Sequence, residues 1–246
     1  MSRLNPTYPH PPRRSLLAGG LGVLALALGA CSTRETVSAG TVPAGTGTAS
    51  PGPGFTVTDM RGKTITFDTP VQRIATTVIP SPSMIAAVDG GYDRIVGINE
   101  STLQANKQGL FGEIFPESRS TTTISPSSFT PNIETITELA PDVVFQWADQ
   151  GEGLVEPLEN AGFKTVCLLY GTQEYLETWV QLFAAILGKP ERGTEITDWM
   201  HAELKRLRSE LGTAAPVRTV HLGQSGEGYS ASNKASYMHF WMELAG

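Results

Sequence analysis

Hydrophobic and polar positions along this chain change period several times, and each change predicts an element. From Phe55 they alternate, Phe-Thr-Val-Thr-Asp and then Thr64-Ile-Thr-Phe around Met60-Arg61-Gly62-Lys63, which predicts a small β-hairpin. Residues 73–78 read as the first strand of a sheet. The signals then interchange: a helix near 83–88, a strand near 94–97, a long loop, a helix over 133–139, an apolar strand over 142–145, a helix around 153–161 and a strand over 164–169. That order predicts an α/β lobe with a mainly parallel sheet. Two helical stretches follow, 174–187 and 191–211, broken at Gly188-Lys189-Pro190, where Gly suits a C-cap and Pro a first turn. The second of them would extend for about 30 Å at 1.5 Å per residue. Past Pro216 a strand over 217–222, a Gly/Ser-rich loop over 223–232 and a helix from about 236 to 244 begin another unit. One strand and one helix leave an unpaired edge and an exposed apolar face, so the second lobe is expected to be incomplete in this chain, as in a fragment or a truncated gene product.

The first 54 residues follow another logic. Arg3, Arg13 and Arg14, with no acid among them, lead into an apolar run over 16–30 that is shorter than the ~20 residues of an ordinary membrane-spanning helix. This predicts an export signal over 1–30. Arg13-Arg14-Ser15-Leu16-Leu17 resembles a twin-arginine signal, although Pro12 and Ala18 stand where Ser or Thr and Lys are usual; the general secretory route is the alternative. The run ends in Leu28-Gly29-Ala30-Cys31, which resembles a lipobox, so Cys31 is the expected lipidation site and first residue of the mature chain. From Ser32 to Gly54 the residues are mostly Ser, Thr, Gly, Ala, Val and Pro, a composition that cannot bury enough apolar area to offset chain entropy and predicts a flexible tether over 31–54.

Charge narrows the partners. Losing the signal takes Lys+Arg from 18 to 15 against 24 Asp+Glu, a net charge of −9, which argues against nucleic acid. Only Cys167 then remains, between Val166 and Leu168, and it reads as a small buried hydrophobe.

Five segments carry a resemblance together: Val57-Thr58-Asp59-Met60-Arg61-Gly62, Val71-Gln72-Arg73-Ile74-Ala75, Asn132-Ile133-Glu134-Thr135-Ile136, Leu139-Ala140-Pro141-Asp142-Val143-Val144 and Leu187-Gly188-Lys189-Pro190-Glu191. With Glu243-Leu244-Ala245-Gly246 they cover the chain from Phe55 onward, and they resemble the periplasmic binding proteins for ferric siderophores, haem and cobalamin. The resemblance implies two Rossmann-like α/β lobes joined by a single long helix, the class III substrate-binding architecture. The implied division is 55–189 for the first lobe, 190–212 for the helix and 213–246 for the start of the second lobe. It also implies a lipid-anchored monomer on the outer face of the cytoplasmic membrane, serving an ABC permease dimer. An acid on each lobe would dock the permease, and the first-lobe acid falls on Glu134; a first-turn acid also simply complements the helix dipole. Its partner would lie beyond Gly246.

The ligand of such proteins lies against loops at the carboxyl ends of the strands. Those loops are 79–83, 127–131, 146–149, 169–172 and 223–230. Within them Phe129, Trp147, Tyr170 and Tyr229 offer flat apolar faces, and Ser81, Pro82, Ser83 and Ser128 offer the small and polar contacts that suit a planar chelate. Trp147 directly follows a predicted strand. A ferric siderophore is the first expectation, partly from the long 100–120 segment, with haem or cobalamin next. No resident cofactor is expected, and His201, His221 and His239 show no metal-ligand spacing. Tyr170 or Tyr229 remains open as a haem ligand, and Lys234 as a cation for an anionic ligand. Gly223-Gln224-Ser225-Gly226-Glu227 departs from a nucleophile elbow because Glu227 stands where Gly is required, and no phosphate loop or zinc-protease motif occurs, so no enzyme is expected. The alternatives are a lipoprotein that reports ligand to a membrane receptor and, behind it, a lipid-anchored hydrolase.

Overall fold

The computed structural model describes residues 54–211, 220–225, 228–232, 234 and 236–245. The predicted signal, the Cys31 lipidation site and all of the tether but Gly54 lie outside the described residues. The chain opens with β1 (Phe55–Thr58) and β2 (Thr64–Phe67), an antiparallel hairpin in register from Phe55 opposite Phe67 to Thr58 opposite Thr64. Five parallel strands follow, β3 (Ile74–Thr76), β4 (Ile95–Asn99), β5 (Thr122–Ser125), β6 (Val143–Trp147) and β7 (Thr165–Leu168), in spatial order β5-β4-β3-β6-β7. Between them run α1 (Ser81–Asp89), α2 (Glu100–Gln108), α3 (Phe111–Ile114), a short 3₁₀ helix (Pro116–Ser120), α4 (Ile133–Leu139) and α5 (Glu156–Asn160). Then come α6 (Gln173–Ile186) and the long α7 (Pro190–Leu211). An antiparallel pair, β8 (Leu222–Ser225) and β9 (Gly228–Ala231), and α8 (Tyr237–Ala245) complete the described residues. The whole is a mixed α/β fold built on a parallel sheet. Among the described residues no helix is long and apolar enough to cross a membrane.

Four expectations change. The stretch predicted as a long loop after β4 folds into α2, α3, the 3₁₀ helix and the edge strand β5. Asn99 caps α2 by accepting from the Ser101 backbone N–H at 2.7 Å, and Tyr92, Phe111 and Phe115 pack ring on ring beside it. The loop expected over 223–232 is instead the β8–β9 pair, in which Gly and Ser meet across the strands and Tyr229 sits on β9. The strand expected over 217–222 overlaps it only at Leu222; residues 217–219 lie outside the described residues. Trp147, expected just after a strand, is the last residue of β6.

The strands alternate their faces as the period of two requires. Val143, Phe145 and Trp147 join the larger core with Val166, Leu168, Phe183 and Ile186, whereas Val144 and Ala75 face a smaller cluster with Ile124, Ile136 and Leu158. Two of the resembling segments meet here: the Asp142 carboxylate accepts from the Gln72 and Arg73 backbone N–H groups, both at 2.8 Å, and Arg73 donates to the carbonyls of Leu139 and Ala140.

The passage from α6 to α7 is closed by a Schellman motif. The Lys189 N–H donates to the Ala184 carbonyl at 2.7 Å and the Gly188 N–H to Ala185 at 3.1 Å, with Gly188 at φ +71°. A Cβ on Gly188 would also stand 2.8 Å from Pro70. Lys189 then reaches back to the end of α1, where its ammonium lies 2.6 Å from the Asp89 carboxylate, which Arg94 also approaches at 3.2 Å. The base of the long helix is thus tied into the sheet lobe.

A buried carboxylate gathers the hairpin turn onto the sheet. Asp59, with its side chain fully buried, accepts from the Arg61 and Lys63 backbone N–H groups, from the Arg61 guanidinium at 2.7 and 2.9 Å, and from the Cys167 N–H at 3.1 Å on β7. Arg61 and Lys63 in turn pair with Glu159 of α5 at 2.9 and 3.0 Å, and they hold its carboxyl below the usual range against the opposing effect of burial.

Candidate functional site

The sheet reverses its winding between β3 and β6: strands β3, β4 and β5 step one way, and the chain then returns to lay β6 and β7 on the other side. Crevices form outside the carboxyl ends at such a reversal. The buried amide of Gln146 organises this one. Its Oε1 accepts from the Thr77 hydroxyl at 2.5 Å and from the Trp147 N–H at 2.8 Å, and its Nε2 donates to the carbonyls of Phe129 at 3.1 Å and Leu154 at 3.3 Å. A single interior side chain therefore joins the ends of β3 and β6 to two loops, and it holds Phe129 in its left-handed conformation, φ +66°.

An apolar cleft of about 260 Å³ opens nearby. Pro80, after β3, forms one edge; Leu169, Tyr170, Gly171 and Thr172, after β7, form the floor; Tyr175, Leu176 and Trp179 of α6 and Tyr237 of α8 form the walls. Thr172 caps α6 by accepting from the Tyr175 N–H at 3.3 Å, so the residues at 172, 175, 176 and 179 present one helical face to the opening. The Trp179 indole donates to the Leu169 carbonyl at 3.1 Å, which leaves its ring as a fixed wall. A second apolar cleft of about 280 Å³ lies on the far side of Tyr237, between α6, α7 and α8, with Trp199, Leu204, Leu207 and Trp241 among its lining.

The predicted residues distribute unevenly about the first cleft. Tyr170 lines it, is 54% exposed, and meets Trp147 edge to face at 6.0 Å. Trp147 itself is 4% exposed, packed among Phe129 at 6.0 Å, Tyr170 and Trp179 at 5.5 Å, and its indole N–H has no hydrogen-bond partner among the described residues. It backs the wall and does not form its surface. Ser81 is fully buried with its hydroxyl committed to Thr76 at 2.6 Å and to the Val78 carbonyl at 2.8 Å, so it shapes the turn into α1 and presents no free polar contact. Pro82 is buried as well, while Ser83 is exposed and bonded to the Pro80 carbonyl at 2.9 Å. Ser128 is exposed and lies 3.3 Å from Thr130. Tyr229 stands on β9, 76% exposed, and is not among the residues lining the cleft. Lys234 is exposed and likewise absent from the lining. Glu134 lies in the first turn of α4, exposed, beyond an Asn132 cap that accepts from the Thr135 N–H at 3.1 Å. Among the described residues no group of three or more His, Cys, Asp or Glu is arranged to hold a metal ion.

Sequence reasoning missed Tyr175, Leu176, Trp179 and Tyr237. The spacing from Thr172 to Trp179 was the available signal for the first three, since positions three, four and seven apart share one helix face. Nothing in the linear pattern joins Tyr237 to Tyr170. Burial first, and then the nearby Tyr170 and Glu177 charges, push the Tyr237 phenol above its ordinary range, so the cleft closes a drier phenol against a wetter one.

A family model described as a periplasmic binding protein matches residues 81–246, about two thirds of the chain. A search of curated proteins finds no match. Among solved structures, a periplasmic solute-binding protein from Veillonella parvula is 28% identical, with a TM-score of 0.60 over 67% of this chain and 50% of that one. The heme-binding protein HmuT, solved as a point variant, is 22% identical with a TM-score of 0.60 over 83% of this chain and 61% of its own. The siderophore-binding protein BauB, solved with two acinetobactin molecules and ferric iron, is 15% identical with a TM-score of 0.61 over 79% of this chain and 66% of its own. The chain thus spans between half and two thirds of the length of these relatives.

Proposed function

We propose a function from one premise: the chain belongs to the periplasmic binding protein family. It acts as the substrate-binding lipoprotein of an ABC importer, taking up an iron chelate outside the cytoplasmic membrane and delivering it to a permease. The observation that carries this reading is the aromatic cleft where the carboxyl ends of the parallel strands face α8, with Tyr170, Tyr175, Trp179 and Tyr237 around one opening. Flat faces with few fixed polar groups suit a bulky chelate, whose desolvation supplies the affinity while phenols and backbone groups orient it. A ferric siderophore is the first choice, with haem and cobalamin next; relatives of the same fold include proteins named for each of these.

The remaining parts follow from the same reading. Residues 1–30 direct export, Cys31 carries the lipid, and 31–54 tether the binding domain. Residues 55–189 form the first lobe, 190–212 the connecting helix, and 213–246 the start of the second lobe. Glu134, exposed at a capped helix start, meets the permease. A tether gives the captured chelate a short path to that partner.

Tryptophan fluorescence of the full chain in detergent, titrated with ferric siderophores, haem and cobalamin, tests the reading, because Trp179 lines the cleft and Trp147 backs it. Saturable quenching by one of them, reduced by Tyr170→Ala, is the expected result; no response to any of them would sink it. With a reconstituted permease, Glu134→Ala is expected to abolish the stimulation of ATP hydrolysis while leaving that quenching unchanged.

A further inference from the structure

The cleft carries a charge bias that the family reading does not specify. Its lining contains no Lys, Arg or His among the described residues. Three carboxylates are linked to that lining instead. Asp149 accepts from the Tyr170 backbone N–H at 3.2 Å, so its charge lies one hydrogen bond from the floor. Glu174, in the first turn of α6, is hydrogen-bonded by the Thr172 hydroxyl and its own N–H, which keep its carboxyl below the usual range and therefore ionised. Glu177, also on α6, accepts from Gln173 at 3.0 Å and stands close enough to Tyr237 to bear on its phenol. Among the described residues His201 lies 3.0 Å from Glu177 and outside the lining.

Aromatic faces attract cations through their quadrupoles, and carboxylates around a low-dielectric opening reinforce that attraction. The same arrangement repels a polyanionic chelate. From the aromatic walls together with the flanking acids we infer that the cleft selects ligands presenting a positive charge, and within the iron-chelate reading, on which this inference rests, hydroxamate-type complexes with a protonated amine over tris-catecholate anions. Asp149, Glu174 and Glu177 are its specificity-determining residues, acting on ligand charge without contributing to the apolar contact.

Two matched sets of probes separate this inference from the reading beneath it. The full chain is titrated by fluorescence with a ferric trihydroxamate bearing a free ammonium, with its N-acetylated neutral twin, and with a ferric tris-catecholate trianion. A metal-free pair, an aryl trimethylammonium and the corresponding aryl sulfonate, is titrated in parallel. The cationic chelate is expected to bind about three- to ten-fold tighter than its neutral twin at low salt, with the ratio shrinking as ionic strength rises. Asp149→Asn, Glu174→Gln and Glu177→Gln together are expected to bring that ratio close to one while the neutral twin still binds saturably, a readout that a loss of folding would not reproduce. Tris-catecholate binding as tight as that of the cationic chelate would overturn the charge inference and leave iron-chelate capture standing. Binding of the aryl trimethylammonium with no response to any chelate would overturn iron-chelate capture and leave the charge inference standing. Silence from every probe would overturn both.

Discussion

The lobe ahead of α7 and the described residues behind it are made of the same residue types and differ in how those residues are covered. In the first, Ile74, Phe145, Leu168, Phe183 and Ile186 are fully buried in one continuous cluster on the sheet. In the second, Val220, Leu222, Tyr229 and Trp241 are exposed, and so is Trp199 on the α7 face toward α8, at 65%. Leu244 is the buried large apolar residue there among the described residues. Apolar composition alone therefore does not locate stability in this chain; the area removed from water does. Folding free energy should reside in the sheet lobe, and the residues after α7 should contribute to the cleft more than to the core.

The sharpest way to break that contrast is a pair of truncations. Phe183→Ala removes a ring packed edge to face on Phe145 at 4.9 Å and should cost about 4 kcal/mol, whereas Trp241→Ala should cost less than about 1 kcal/mol by urea unfolding. Comparable losses would mean that the two regions share one core. Next in size is Asp59→Ala, which takes from the Arg61 guanidinium one of its two carboxylate partners, leaves the Cys167 N–H unpaired, and should cost about 3 kcal/mol in the same assay. Gly188→Ala forces a side chain into a left-handed position and against Pro70, and a loss of about 1 to 2 kcal/mol is expected. Smallest at neutral pH is the effect of Cys167, whose thiol burial pushes from its ordinary 9.0 up to about 12. A raised folded value means that the protonated thiol stabilises the fold below the unfolded pKa, so stability should fall as pH climbs from about 9 toward 12. Urea midpoints across that range, compared with Cys167→Ala, check it; a flat difference would contradict it.

How far the sequence led depended on the range of the forces involved. Local signals read well: the 133–139 helix is α4 at the same bounds, and Gly188 closes the preceding helix because the left-handed turn favours glycine. The resembling segments were legible for a physical reason too, since Asp142 binds the backbone of Gln72 and Arg73, and Asp59 binds that of Cys167, so each marks a fixed long-range junction. Burial at the cleft was less legible. Trp147 and Ser81 sit at the carboxyl edge as predicted, but side-chain partners turn both inward, and a strand boundary read two residues early sufficed to make Trp147 look free. The stretch after β4 and the 223–232 segment were less legible: 100–120 coils into α2, α3 and the 3₁₀ helix, while β5 and β8 take their strand form from pairing with β4 and β9, which local propensity does not register.

The buried Asp59 has a mechanical consequence. Any pull on the chain ahead of the domain is delivered at Phe55, at the open end of the hairpin, where β1 is paired with β2 through four residues. Those pairs yield one at a time when peeled. The next point of resistance is Asp59, whose carboxylate spans the hairpin turn, the Arg61 guanidinium and the backbone of β7 together. Load therefore passes into the outermost strand of the parallel sheet through the Asp59 carboxylate and the neighbouring Met60, whose N–H donates to the Cys167 carbonyl at 3.2 Å, and the strand that receives it runs directly on to Leu169 and Tyr170, the floor of the cleft. The point where the domain bears tension, Cys167, stands two residues before the first residue of the cleft floor, Leu169, at the carboxyl end of one four-residue strand.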